Sequence, residues 1–328
     1  MGNTLHKINQ KRSKKIPKTN FQIDVNSSQV GANSTSSDSI GKLSIQSESA
    51  VKLIGGRPYL DENASVYLCP TDWEEADRLQ LCHFILKKLF GGSYAANLSN
   101  IIKPGSKILD IGCGPGPWCF ELAQEFPYAD IYGLDILSSF PDAIKPPNCH
   151  FQLCNVLKGL PFDNDEFDYI FMRHMILALK EEQWAPLLTE IKRVMKPGGV
   201  IECVEFDWAA RSAGPVHTEF IKRWSMSKTR EMDLSFTSKL KQTIIDIGFQ
   251  NVNRICKPVS LGKWDEKQGK IGEIWNTNLA QMVSGMKSVS VPIMNITDDE
   301  WDCMLKDVDR EVDKFRSYQD HYFFLATK

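Results

Sequence analysis

The sequence predicts a doubly wound, mostly parallel α/β sheet, and three observations carry the expectation. Lys107 to Ile111 is a short apolar run interrupted by Asp110, followed at once by a glycine-rich loop and a helical pattern from Pro117. Ile131 to Leu134 is a second such run, ending in Asp135. Beyond it, apolar runs and helical patterns alternate to the C-terminus, as βαβ units do. A chain of 328 residues can bury a full core, and its 42% apolar and 24% charged content is ordinary for a soluble protein. No apolar run approaches the ~20 residues needed to span a bilayer. The nine cysteines include no C-x-x-C pair, which fits reduced thiols better than a disulfide framework or a zinc site.

Residues 1 to 56 read as a disordered, basic and Ser-rich tail, because stretches such as SSQVGANSTSSDS offer too little apolar surface to offset ordering entropy. Residues 1 to 20 hold six basic side chains and no acid against a whole-chain charge of −2, so the remainder carries −8. An acidic body argues against a nucleic-acid groove, which needs a basic face interleaved with aromatics. The start, MGNTLH, partly matches an N-myristoylation signal, with Gly2 in place and a basic cluster behind it, although His6 stands where Ser or Thr is expected. The other reading is a solvated basic tail, equally usable as a nuclear-import patch. The absence of an apolar leader core makes an intracellular location, cytoplasmic or nuclear, the expectation, with lipid anchoring as the alternative.

Residues 57 to 328 form the predicted folded domain. Asp72 with Glu75 is a capping-box pattern, and Ala76, Leu79, Cys82, His83, Leu86 and Phe90 recur at helical spacing until Gly91-Gly92. This helix precedes the first strand and can lie over a ligand as a lid.

The loop after that strand, GCGPGPW, leaves no side chain at Gly112, Gly114 and Gly116, so a ligand can lie on the main chain. A dinucleotide site wants G-x-G-x-x-G and free amides. Here the spacing is G-x-G-x-G, and Pro115 and Pro117 each remove a donor. Asp110 would repel a pyrophosphate but suits a cofactor bearing an ammonium, and Asp135 can accept both hydroxyls of a ribose. Together these residues resemble motif I and the following acidic position of class I S-adenosylmethionine-dependent methyltransferases. The segment YLCPTDWEEADRLQLCHFILKKLFGG is similar to the lead-in of fungal TAM-domain methyltransferases, the group that contains regulators of secondary metabolism.

Further along, His150 to Leu153 reads as a third strand and Phe167 to Phe171 as a fourth, with Arg173 and His174 emerging at the C-terminal edge where open α/β sheets bind ligands. A helix through Trp184, Leu187, Leu188, Ile191 and Val194 ends in KPGG before the strand VIECVEF, and IKRVMKPGGVIECVE matches the family's motif around strand five. Residues 209–233 and 264–316 read as insertions carrying substrate or lid elements. Helical patterns run through Leu240, Ile244 and Ile247, and again from a Thr297–Glu300 capping box. HYFFLAT suits a closing strand. The resemblance covers roughly residues 57 to 328 and is most specific at 107–118 and 191–205.

The resemblance implies seven strands with the last antiparallel, S-adenosylmethionine as cofactor, and methyl transfer by direct displacement to a small molecule or a protein. It places the methionine end of the cofactor on Asp110 and the loop of Gly112, Cys113, Gly114 and Gly116, the ribose on Asp135 with Ile136 following, and the adenine on Asn155 with the Val156 amide. Tyr67 and Arg78 join the cofactor contacts, with Arg78 offered to its carboxylate; the plain reading of Arg78 is a pair with Glu74 or Asp77 on a wet face. Cys113 and Cys119 also read as small packing residues. His174 is the candidate base because an imidazole titrates near neutrality; otherwise it is a hydrogen-bonded strand-end histidine. Arg173, Glu205, Asp207 and Trp208 complete the candidates for the pocket wall, although Glu205 and Asp207 can equally cap the next segment. Two other classes stay open, a nicotinamide-dependent oxidoreductase, against which the loop argues, and a regulator that keeps the fold as a scaffold.

Overall fold

A computed structural model describes residues 45–47, 49–61, 65–227 and 233–328. Gly2, the basic cluster and most of the Ser-rich stretch, with the acylation signal read there, lie outside the described residues. Two strands, β1 (Val51–Ile54) and β2 (Arg57–Leu60), pair antiparallel across a Gly55-Gly56 turn in which both residues take positive φ. β1 lies inside the stretch assigned to the tail, so ordered structure begins before residue 57. The hairpin escaped the pattern because its outer strand is mostly solvent-facing, with Leu53 78% exposed.

α1 (Trp73–Phe90) starts where predicted: Asp72 accepts a hydrogen bond from the Glu75 amide at 3.1 Å, and Gly91 ends the helix in the left-handed region. Only that half of the capping box forms, because the Glu75 side chain turns to Arg78 and Tyr67 instead. A single turn, α2 (Leu98–Ile101), leads to β3 (Lys107–Ile111), α3 (Pro117–Glu125), β4 (Asp130–Asp135), β5 (Cys149–Leu153) and β6 (Phe167–Arg173). Proline at the first position of α3 removes a donor that has no intrahelical partner anyway. Then come α4 (Glu181–Val194) and β7 (Met195–Phe206). The Lys-Pro-Gly-Gly segment lies within β7, where the pairing jumps from Phe167↔Met195 to Tyr169↔Val200, so it is an irregularity of the strand rather than the end of the helix.

The two predicted insertions hold helices: α5 (Pro215–Met226) in the first and, after α6 (Thr237–Asp246) and β8 (Gln250–Ser260), α7 (Gly269–Gly285), α8 (Lys287–Met294) and α9 (Asp298–Lys314) in the second. The α9 capping box closes in both directions between Thr297 and Glu300. β9 (Tyr318–Thr327) ends the chain.

The main sheet has seven strands in the order β5-β4-β3-β6-β7-β9-β8. β9 runs antiparallel to both neighbours, so every other strand points the same way. Strand order reverses at β3, and the crevice outside the C-terminal ends there is where an open α/β sheet takes its ligand. Period-two alternation divides the core. Leu109, Ile111, Ile170 and Met172 face α4 and α6, whereas Ile108, Tyr169 and Phe171 face α3, with Trp118 stacked on Phe171 at 4.3 Å between ring centroids. Asp110 shares this second face with Ile108.

Candidate cofactor site

A cavity of about 180 Å³ opens over the C-terminal ends of β3, β4 and β6, and α1 roofs it with Leu79 and Cys82. Tyr67, Asp110, Gly112, Cys113, Gly114, Asp135, Ile136, Asn155, Val156, Arg173 and His174 all line it. Arg78 and Gly116 are not among its lining residues.

The loop is built by backbone. The amides of Gly112 and Cys113 both donate to the Leu134 carbonyl, at 2.8 and 3.0 Å, which ties the loop to the neighbouring strand. Two of its glycines are demanded by packing rather than by a ligand. A Cβ on Gly112 would meet Met175 Sδ at 2.6 Å, and one on Gly116 would meet the Phe151 ring at 2.5 Å, both at positive φ. Gly114 faces open space, with Leu79 the nearest neighbour at 3.6 Å. Its amide donates to Asp135 Oδ2 at 2.8 Å, while the Leu137 amide donates to Oδ1 at 2.9 Å. Each carboxylate oxygen keeps a second lone pair, and the side chain is held at the cavity wall. Ahead of the strands, the Gln46 carbonyl accepts from the Ser138 amide at 2.9 Å, fastening the loop after Asp135.

Charge is distributed unevenly in this space. Asp110 is 4% exposed, touched by the Cys119 thiol at 3.4 Å, and burial raises its pKa to about 7 against the opposing pull of Arg173. Arg173 donates from Nη2 to His83 Nδ1 at 3.2 Å and lies over the Phe171 ring, but has no carboxylate ion pair among the described residues. His83 suits that role as an uncharged acceptor, since burial and then Arg173 lower its pKa to about 4.

Arg78 is spoken for. Its guanidinium holds Glu75 in two bonds of 2.8 and 2.6 Å and Asn278 Oδ1 at 3.0 Å, both charged side chains being less than 10% exposed. The partner is thus Glu75 in the interior, neither the wet-face Glu74 or Asp77 nor a ligand in the cavity; Arg173 is the arginine the cavity presents. Tyr67 reaches the same Glu75 through its hydroxyl at 3.0 Å. Asn155 spends its carbonyl oxygen on the Leu157 amide at 3.1 Å, capping a short 3-10 turn over Val156–Lys158, so the side chain shapes the turn while it lines the cavity.

His174 takes φ 59°, donates its amide to the Val204 carbonyl at 2.9 Å and packs edge-on against Phe206. Burial, then Arg173 and His321, drive its pKa well below the ordinary value, which corrects the expectation of a near-neutral titration. Nε2 has no hydrogen-bond partner among the described residues. Glu205 does not line the cavity. Its carboxylate accepts the Met175 amide at 2.7 Å and the Ile176 amide at 3.3 Å, fixing the turn that carries His174, and burial lifts its pKa to about 8. Asp207 binds Tyr322 and Arg211 outside the cavity, and Trp208 belongs to a different one.

The raised Glu205 pKa fixes a pH dependence. An acid whose folded pKa lies above its unfolded one destabilises the fold as pH rises from about 4 toward 8, because only the unfolded chain ionises freely there. Melting temperatures taken between pH 6 and 9 should therefore fall less for Glu205→Gln than for the parent; parallel slopes would show that Glu205 is not buried as described.

The cavity also draws in residues the sequence reading passed over, namely Ser65, Leu137, Ser139, Met175 and Leu179. Leu137 and Ser139 follow directly on Asp135, and that adjacency was the available signal. Among the described residues no group of three or more His, Cys, Asp or Glu is placed to hold a metal, and no helix is long and apolar enough to cross a membrane.

Comparison with known proteins agrees with this geometry. A family model described as a methyltransferase domain matches residues 108–199, from β3 into β7. The secondary metabolism regulator laeA of Coprinopsis cinerea is 32% identical over 157 residues, 47% of this chain and 39% of that protein, so the chain spans well under half of that relative's length. Methyltransferase str2 of Strobilurus tenacellus is 26% identical over 270 residues, covering 80% of this chain and 95% of its own. A solved structure of phosphoethanolamine N-methyltransferase 2 from Haemonchus contortus, with phosphomonomethylethanolamine and S-adenosylhomocysteine bound, overlaps 76% of this chain and 57% of its own at 18% identity and a TM-score of 0.46. With its sheet order and its methyltransferase domain, this chain is a class I methyltransferase by fold and resembles the fungal regulators of secondary metabolism.

Proposed function

We propose that the cavity binds S-adenosylmethionine and that the chain moves its methyl group to an acceptor that is a small molecule or a protein side chain. One observation carries the reading: a single cavity sets an arginine without a carboxylate partner beside a buried carboxyl group, with a second carboxylate at the next strand end. That pattern complements a zwitterionic amino-acid end joined to a ribose. Arg173 takes the carboxylate, Asp110 the ammonium, Asp135 the two ribose hydroxyls, and the Val156 amide with the Asn155 turn the adenine edge. When bound, the cofactor supplies an electrophilic methyl on a sulfonium whose departure needs no protonation. The protein is left to align the acceptor and exclude water, which the α1 roof and the apolar wall of Met175 and Leu179 do. His174 is uncharged at neutral pH, so its Nε2 can hold the acceptor's proton by a hydrogen bond as transfer proceeds.

Proton release follows from Asp110. In the free protein its pKa is about 7, and a cation beside it favours the ionised form. Binding at pH 6 should release close to one proton, and affinity should rise from pH 5.5 to 7. Calorimetry in buffers of different ionisation enthalpy reads this directly; no release in the parent would remove Asp110 from the site.

The name of the Coprinopsis relative favours a second reading, a regulator that keeps the site but transfers nothing. Incubating the protein with methyl-labelled cofactor and fractions of small molecules and of proteins separates the two. Label that moves to a fraction and is lost with Asp135→Ala supports transfer, whereas intact cofactor binding with no labelled product in any fraction supports the regulator.

A further inference from the structure

A second cavity, of about 80 Å³, lies outside the ends of β7, β9 and β8, enclosed by α5, α7 and α9. It shares no lining residue with the first. His174, Phe206 and Trp275 stand between the two, with ring centroids 4.8 Å apart for His174–Phe206 and 6.3 Å for His174–Trp275. Its walls are apolar, with Phe220 from α5 and Leu261 beyond β8.

Two polar atoms break that apolar surface. Trp208 is 6% exposed and His217 8% exposed, both line the cavity, and neither Trp208 Nε1 nor His217 Nδ1 has a hydrogen-bond partner among the described residues. A buried N–H or ring nitrogen left without a partner is costly, and the usual remedy is a group that enters the space. The indole can only donate, while a neutral imidazole nitrogen can accept. A hydroxyl satisfies both at once, its oxygen accepting from Trp208 and its proton going to His217. Charge is disfavoured, because the carboxylate of the lining set, Asp309, is exposed at the mouth and already accepts from Asn276 at 2.9 Å. The volume holds several water-sized groups, which is the scale of one substituted ring.

We propose that this cavity is a second small-molecule site, distinct from the cofactor site, that takes an uncharged, mainly apolar compound bearing one hydroxyl. Phenol and toluene are the probes, since they differ in that hydroxyl alone. Saturation-transfer NMR titrations of the full chain should show both binding, phenol about tenfold more tightly, as expected for hydrogen bonds to otherwise unsatisfied buried groups. Trp208→Phe should reduce that preference to within about twofold. Ala280→Trp, at an exposed position of α7 on the cavity mouth, should exclude both probes and leave the affinity for S-adenosylhomocysteine unchanged. Failure of phenol to bind the parent, binding that persists in Ala280→Trp, or a phenol preference that survives Trp208→Phe would each overturn the proposal. Because S-adenosylhomocysteine binding is measured separately, failure here is distinguishable from failure of the cofactor reading.

Discussion

Glu75→Ala should lower the stability of the fold by about 3–5 kcal/mol, since it leaves the Arg78 guanidinium buried without its carboxylate. The two bonds of 2.8 and 2.6 Å that Glu75 accepts from Arg78, and the third from Tyr67, are lost together, while Asn278 alone cannot balance the charge. For a chain of this size such a loss lowers the melting temperature by roughly 6–15 °C. Replacing both partners, Glu75→Leu with Arg78→Met, should recover part of it, because no buried charge then remains. A Glu75→Ala protein that melted within 2 °C of the parent would show that water reaches the pair and that the roof over the cavity is not anchored there.

Asp135→Ala should weaken cofactor affinity by about 100-fold or more. Two hydrogen bonds from ribose hydroxyls to an ionised acceptor contribute on the order of 1.5–3 kcal/mol each, and every 1.4 kcal/mol is tenfold. The same substitution strands the Gly114 and Leu137 amides that the carboxylate now accepts, so the loop loosens as well. Asp135→Asn keeps one carbonyl oxygen and should lie between, nearer tenfold. An Asp135→Ala protein that bound within threefold of the parent would place the ribose elsewhere.

The strands around the site were legible because buried parallel strands read as apolar runs and the loop between them as glycines. Lys107–Ile111 and the acid closing β4 at Asp135 were found for that reason. The Thr297 capping box was equally local, and it closes as the residues suggest. What stayed hidden depends on partners far along the chain. Arg78 was offered to the cofactor, yet Glu75 one turn away and Asn278, 200 residues distant, hold it in the interior. Arg173 took its place in the cavity because no acid reaches it there. Glu205 looked like a wall residue by alternation, but two amides of the following turn claim its carboxylate. The glycines mislead in a subtler way: Gly112 and Gly116 answer to Met175 and Phe151, side chains whose proximity only the folded sheet creates. His174 was expected to titrate near neutrality, and its burial against Phe206 is a tertiary fact that residue type cannot reveal.

Calorimetric titration of the purified chain with S-adenosylmethionine, and separately with S-adenosylhomocysteine, tests the central claim most directly. The account predicts one site per chain for each compound, with binding sharply weakened in Asp135→Ala and in Arg173→Ala. Absence of binding by a folded parent protein, or binding indifferent to both substitutions, would contradict it.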